Sequence, residues 1–370
     1  MKIAFVVHDY HQSGGHSRYV TELARRFGRE HEVHVFANTI DEDAHSGIRF
    51  HHVPAWRRTA LTTILTFVGP ATRKLNGSFD IIHAQGLSCL HANVVTAHIC
   101  SRAWFLARQH QKSRIALKEY AFEKLVSPLE RRLYKSGSKS WIIATSERVR
   151  RDISDCYGRY DHTEVIYHGV DVEMFHPRNR ALHRSRVRER LGIGEGEFVF
   201  LFVGDLRKGS EITIEALARV PSAALLLVSR SSVQSYRHKA EKTGVVDRVH
   251  FCAATNSIEE YYGAADAFVF PTPYDAFGMV ISEAMASGLP VITTREAGAS
   301  ELIQHGRNGL LMSDPSNAEE LAGLMKALLS DSHLRKSIGT AARDRVETQT
   351  WDKVAEQTME TYRRVLAERD

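Results

Sequence analysis

Cysteine is scarce in this chain, four residues in 370, and Cys89, Cys100, Cys156 and Cys252 lie far apart with no CxxC pair among them. That argues against a disulfide framework or a cysteine zinc site, so the four are expected to be reduced thiols. Proline is sparse as well, at nine residues, which excludes collagen-like or proline-rich segments. No run approaches the ~18 apolar residues of a membrane span. The start, MKIAFVVHDY, reaches His8 and Asp9 after five apolar residues, too few for a signal peptide, so a first strand and a cytoplasmic location are expected. Histidine is plentiful, at twenty residues, but scattered without an HxxxH pair, and no metal is expected.

What is present is a globular composition, 43% hydrophobic and 25% charged, in a chain longer than one hydrophobic core usually serves. Two domains of roughly 150 to 200 residues follow. The net charge of +5 is uneven. Residues 1–170 hold 24 basic and 16 acidic groups and the remainder 25 and 28, while residues 102–151 alone hold 13 basic and 4 acidic groups. Such a surface attracts anions, although a solvated helix face has the same composition.

The first half alternates strands with helices: KIAFVVH, a glycine loop, SRYVTELARRFG, HEVHVFA, IRFHHVP, FDIIHA, ANVVTAH, a helical stretch over 113–136, WIIATS and EVIYHGVDVEMFHP. After a polar helix near 180–191 the alternation restarts with EFVFLFVGD, ITIEALARV, AALLLVS, RVHFCA, IEEYYGAAD, AFVFPT, MVISEAMASG and PVITT, and it ends in a helical tail. Parallel βαβ units are expected in both halves, giving an α/β protein of two doubly wound, Rossmann-like domains.

Three stretches carry chemistry. In PTPYDAFGMVISEAMASGLPVITT, residues 271–294, a strand ends before a loop with Asp275, and a helix opens near Phe277 and Gly278 and stops at Gly288 before Pro290. The N–H groups of Phe277, Gly278, Met279 and Val280 would then lie at the carboxyl end of a parallel strand, where such groups bind phosphate oxygens. Glu283, one turn beyond Met279, would suit ribose hydroxyls. A plain tight turn at Gly278 and a solvated Glu283 fit the same letters. In LFVGDLRKGSEITIEAL, residues 201–217, Arg207 and Lys208 form a basic pair at a helix start, suited to a leaving diphosphate or else to a solvated turn. In HDYHQSGGHSRYVTELA, residues 8–24, Gly14 and Gly15 permit close approach of backbone to a ligand, or merely a turn. His98 ends an apolar strand and reads either as a core histidine or as a site residue. Asp41 and Asp43 have DxD spacing within a polar run and read as a solvated loop, and GIGEGE at 192–197 precedes its strand, unlike a dinucleotide loop.

These motifs resemble the retaining glycosyltransferases of the family 4 type, which includes lipopolysaccharide-core glucosyltransferases, phosphatidylinositol mannosyltransferases and sucrose-phosphate synthases. The family signature is two glutamates with seven residues between them, followed by a GxPV turn. This chain has Asp275, Glu283 and the turn Gly288, Leu289, Pro290, Val291, with Asp in place of the first Glu. Asp205 after Gly204, and VSRSSV at 228–233 in place of a glycine-rich loop, are further departures.

The resemblance covers nearly the whole chain and implies a GT-B fold, two domains facing a cleft: 1–168 on the acceptor side, 169–350 binding the nucleotide sugar, and a helix over 351–370 returning to the first domain. It implies metal-independent transfer, with retention, from a nucleotide sugar, UDP-linked in expectation, to a glycan or glycolipid. His98, Arg207, Lys208 and Asp275 would take the catalytic places. Gly14, Gly15, Phe277, Gly278, Met279, Val280 and Glu283 would bind the donor. Two rivals keep the fold: a nucleotide-sugar 2-epimerase, which would need no acceptor, and a binder that releases no nucleoside diphosphate. The basic stretch suggests an anionic membrane surface as a partner, and no nucleic-acid-binding module is present.

Overall fold

The computed structural model describes residues 1–11, 14–41, 47–75, 78–111 and 117–369, and these divide into two compact units, Met1–Gly169 with Trp351–Asp370, and Val170–Thr350. In the first unit the strands are β1 (Lys2–Val6), β2 (Asp9–Tyr10), β3 (Glu32–Ala37), β4 (Thr39–Ile40), β5 (Ile48–His52), β6 (Ile81–Gln85), β7 (Val94–Ala97), β8 (Trp141–Ala144) and β9 (Thr163–Val165). Its helices are α1 (Gly15–Phe27), α2 (Ala60–Lys74), α3 (Ser101–Gln111), α4 (Leu117–Tyr134) and α5 (Glu147–Tyr157). The second unit holds α6 (Asn179–Leu191), β10 (Phe198–Val203), α7 (Ser210–Leu217), β11 (Ala223–Ser229), α8 (Gln234–Lys242), β12 (Val249–Ala253), α9 (Glu259–Ala264), β13 (Ala267–Phe270), α10 (Met279–Ala286), β14 (Val291–Thr294), β15 (Leu310–Met312), α11 (Ala318–Ser330) and α12 (Ser332–Val346). The last helix, α13 (Trp351–Ala367), belongs to the first unit.

The first unit's seven-stranded sheet runs β5-β3-β1-β6-β7-β8-β9, and β2 and β4 pair beside it. Every pairing is parallel. Ile3 to Val6 and Val94 to Ala97 are buried without alternation, as expected of strands covered on both faces. α13 packs on α1. Its Tyr362 hydroxyl lies 2.6 Å from His83 Nδ1, whose Nε2 is 2.6 Å from Thr96 Oγ1, so the last helix is tied to β6 and β7.

In the second unit the order is β12-β11-β10-β13-β14-β15, all parallel. This is a doubly wound sheet whose strand order reverses between β10 and β13. Both runs FVFLFV and AALLLVS are entirely buried. At the entry to β13, Asp266 receives Arg180, Arg184 and Arg188 at 2.8, 3.0 and 2.7 Å, fastening α6 to the sheet.

Candidate functional site

The second unit's site is built where β10 and β13 diverge. β10 ends at Val203, and the chain turns through Gly204 (φ +128°) and Gly209 (φ +107°) into α7. β13 ends at Phe270, and the chain turns through Gly278 (φ +89°) into α10. The two turns touch: a Cβ on Gly209 would lie 2.4 Å from the Pro271 carbonyl oxygen, so only glycine fits there. Across that contact Lys208 Nζ donates to Asp275 Oδ2 at 2.6 Å. Asp275 Oδ1 accepts the Phe277 N–H at 3.2 Å, and the Asp275 backbone is clamped to Glu296 and Gly298 at 3.0 Å each.

This arrangement alters two sequence-based expectations and removes the alternative reading of a third residue. Phe277 precedes the helix, and its N–H donates to Asp275, which leaves the N–H groups of Gly278, Met279 and Val280 at the helix start. Arg207 and Lys208 do not act as one compact pair: Arg207 folds onto Asp205, Nη2 to Oδ2 at 2.5 Å, with its side chain 77% exposed, while Lys208 turns to Asp275. The Arg207 hydrogen bond holds the Asp205 carboxyl below the usual range. Glu283 is no solvated helix residue. It is 7% exposed, and Oε2 accepts the Tyr262 hydroxyl at 2.9 Å. Of the departing loop 228–233, Ser231 reaches Asp205, Oγ to Oδ1 at 3.5 Å.

The first unit carries its own site at the corresponding place, where β1 and β6 diverge. Gly14 (φ +99°) caps α1 and Gly15 is its first residue. The turn is tied by Ser17, whose Oγ accepts the His11 N–H at 2.6 Å and donates to the Asp9 carbonyl at 2.8 Å. Around it lies a cavity of about 540 Å³ whose walls include His8, Asp9, His16, Arg57, Gln85, His98, Ser101 and Glu130. His98 Nε2 lies 2.8 Å from Gln85 Oε1. That amide oxygen selects the Nε2–H tautomer, so Nδ1 is the ring's acceptor. Among the described residues, His98 Nδ1 and Gln85 Nε2 are buried with no hydrogen-bond partner. Burial holds His98 well below the usual imidazole range and brings His8 down to about 4. The cavity wall therefore offers neutral imidazoles, each one donor and one acceptor, a chemistry that fits hydroxyl groups.

Sequence reasoning missed that histidines distant in the chain converge here. The His16 ring is edge-on to His98 at 4.3 Å, and His168 lies 5.4 Å from His98, with Tyr19 completing a triangle at 5.2 and 5.4 Å from the two. The only signal was position, His16 directly after the glycine pair and His168 next to Gly169, where the first unit gives way to the second. No group of three metal-ligating side chains occurs among the described residues. Asp41 is exposed, and Asp43 lies outside the described residues.

Comparison with known proteins agrees with both halves. Residues 13–174 match Glycosyltransferase Family 4 and residues 183–345 match Glycosyl transferases group 1. The chain is 26% identical to the D-inositol 3-phosphate glycosyltransferase of Xylanimonas cellulosilytica over 95% of this chain and 91% of that one. It is 28% identical to the lipopolysaccharide glucosyltransferase WaaG of Escherichia coli over 60% and 61%. A crystal structure of WaaG superposes with a TM-score of 0.82 at 23% identity, covering 96% of this chain and 98% of that one. Anabaena Alr3699/HepE in complex with UDP-glucose gives 0.74 at 22%, covering 98% and 99%. The chain thus carries a family 4 domain followed by a group 1 domain, and it belongs to the GT-B glycosyltransferases.

Proposed function

We propose that this glycosyltransferase moves a hexose, with retention of configuration, from a UDP-linked donor to a hydroxyl of a glycan or glycolipid in cell-surface polysaccharide synthesis. The observation that carries this reading is the Lys208–Asp275 pair at the strand-order reversal of the second unit, beside the helix start at Gly278. The donor diphosphate fits there: the N–H groups of Met279 and Val280 have no intrahelical partner, and the helix dipole favours a dianion. Lys208 and Arg207 offset the charge that grows as the glycosidic bond breaks. Glu283 accepts the ribose hydroxyls, and His98 Nδ1 accepts a sugar hydroxyl. A departing phosphate oxygen takes the acceptor proton on the face it leaves, so no side chain is required as a nucleophile and retention follows. The UDP-glucose complex of the Anabaena relative supports the choice of donor. A donor at 100 times its Kd adds about 2.7 kcal/mol of apparent stability, so a melting screen over nucleotide sugars is the test. Stabilisation by UDP-sugars is expected, and none by any nucleotide sugar overturns the reading.

The acceptor is proposed to sit at an anionic membrane surface. α4 exposes Leu117, Tyr120 and Leu125, with Leu106 of α3 also exposed, beside exposed Lys124, Arg131, Arg132 and Lys135. Apolar side chains next to cations suit a lipid headgroup region. No helix among the described residues is long and apolar enough to cross a membrane.

A further inference from the structure

Two thiols meet immediately behind the wall of the first unit's cavity. Cys100, the residue before α3, is fully buried, and its Sγ lies 3.7 Å from the Asp152 carbonyl oxygen of α5. Cys156 stands one turn further along α5, and side chains on a helix lean back over the preceding turn, which brings its sulfur to the same spot. The two thiols lie near enough to shift each other's titration. Their neighbours make the pair asymmetric. The Cys100 S–H donates to the Asp152 carbonyl, and the neighbouring Cys156, with burial, raises the Cys100 thiol. The nearby Cys100 lowers the Cys156 thiol, with Arg102 adding to the effect. Cys156 is also partly exposed, whereas Cys89 is buried beside Thr72 with its thiol raised by burial. The reactive sulfur and its resolving partner are therefore adjacent, and the reactive one is the accessible one.

We propose that Cys100 and Cys156 form a reversible disulfide, a redox modification site whose oxidant is a low-molecular-weight disulfide. The Cys156 thiolate attacks one sulfur of the reagent, forming a mixed disulfide and expelling one reagent thiolate. Cys100 then gives its proton to solvent and attacks Cys156 Sγ, expelling the second. Two electrons pass from the protein dithiol to the reagent, which leaves as two thiols. The new bond fixes Cys100 to α5 between two parts of the cavity wall, His98 and Ser101. The Ser101 N–H is already held by the buried Glu130 carboxylate at 2.9 Å. The bond also ties the segment just before α3 to α5.

The test needs no transferase assay and is independent of the proposed function. The full chain is equilibrated with glutathione disulfide and glutathione at a series of ratios, denatured, blocked with N-ethylmaleimide and digested without reduction. Expected is a peptide containing Cys100 linked to one containing Cys156, removed by dithiothreitol, with its yield following the ratio of glutathione disulfide to the square of glutathione. Cys89 and Cys252 carry the maleimide. Cys100→Ser stops at the Cys156–glutathione adduct and Cys156→Ser forms neither product. Oxidised wild type melts at a higher temperature than reduced, since the link restricts the unfolded chain. Wild type that keeps both thiols free, stops at a Cys156 adduct, or links another pair overturns the proposal. Because that readout is on wild type, a variant that fails to fold does not rescue it.

Discussion

Lys208 and Asp275 stand 67 residues apart in the chain, and their side chains meet at 2.6 Å. Each sits on a turn leaving one of the two strands at which the second sheet reverses its order, so a single ion pair gauges how far the two turns stand apart. The lysine side chain is 39% exposed and the aspartate 13%. Half-exposed pairs of this kind contribute little to stability, so the value of the contact lies in aiming an ammonium group.

Lys208→Ala should lower kcat by about 100-fold while donor Kd changes by less than about 10-fold, because the charge it meets is largest after bond cleavage. Arg207→Ala should cost less, its guanidinium being exposed and already folded onto Asp205. Steady-state kinetics beside calorimetric donor titration separate the two effects. Equal losses in kcat and donor affinity for Lys208→Ala would remove the lysine from the leaving-group role.

Glu283→Gln should weaken donor binding by about 1–3 kcal/mol, since a charged acceptor is lost from the ribose hydroxyls. The amide oxygen can still accept the Tyr262 hydroxyl, so the fold should persist with its melting midpoint little changed. Tyr262→Phe is the complementary variant and should cost stability, on the order of 1 kcal/mol. Wild-type donor affinity in the glutamine variant would show that Glu283 is a packing residue.

Two glycines to alanine should move stability in opposite directions. At Gly209 a Cβ meets the Pro271 carbonyl oxygen at 2.4 Å, and φ is +107°, so Gly209→Ala should destabilise the second unit by roughly 2 kcal/mol or more. Gly323 lies in α11 with no atom within 4 Å of an added Cβ. Gly323→Ala should stabilise by about 0.5–1 kcal/mol, through helix propensity alone. Chemical denaturation of the two variants checks both signs.

The fold class was legible because parallel sheets announce themselves as short, fully apolar runs between helix-period stretches. FVFLFV and AALLLVS need no homologue to be read as buried strands. Glycines at turns were legible for the same reason, since Gly204, Gly209 and Gly278 all take positive φ. What could not be read was where polar side chains would turn. The letters RK suggest one cationic unit, yet Arg207 folds back onto Asp205 two residues before it, while a long-range contact takes Lys208 to Asp275. Spacing likewise cannot show that His16, His98 and His168 share a cluster, because the sheet order that gathers them is a long-range property.

Acid should unfold the first unit at a pH where ordinary surface groups would leave it intact. Burial lowers His8 to about 4, His83 and His168 to about 3, and His98 well below its usual range. All four belong to the first unit. An unfolded histidine titrates near 6.5, so below that pH the unfolded chain binds more protons than the folded one. Stability is therefore whole above about pH 6.5 and falls as pH drops toward the folded values, by about 1.4 kcal/mol per histidine per pH unit. All four tryptophans, Trp56, Trp104, Trp141 and Trp351, also lie in the first unit, so their fluorescence reports on it alone. Its melting midpoint should drop steeply between pH 7 and pH 5, and His83→Gln should flatten the drop. A midpoint that stays level over that interval would mean that these imidazoles are already charged in the fold.

Membrane association should depend on both charge and exposed apolar surface. The 13 basic and 4 acidic groups of residues 102–151 include Lys112 and Arg114, which lie outside the described residues. The described part of α4 shows how the rest is laid out. Leu117 is 83% exposed and Tyr120 49%, and Lys124 and Arg131 follow them at the three- to seven-residue steps that keep one helix face. An apolar start with a cationic continuation gives a helix that can dip one end into a headgroup layer while its other end meets phosphates. Each basic residue near an anionic surface adds about 1 kcal/mol, and the sum is screened by salt. Co-sedimentation with vesicles containing anionic lipid should therefore be strong at low salt and should fall steeply as salt is raised, with little binding to neutral vesicles. Replacing Arg131 and Arg132 by Glu should abolish the charge-dependent part. Replacing Leu117 by Ser should weaken binding even at low salt, which a purely electrostatic surface would not show. Equal binding to neutral and anionic vesicles, or none to either, would leave α4 as a solvated helix and remove the membrane from the proposed acceptor.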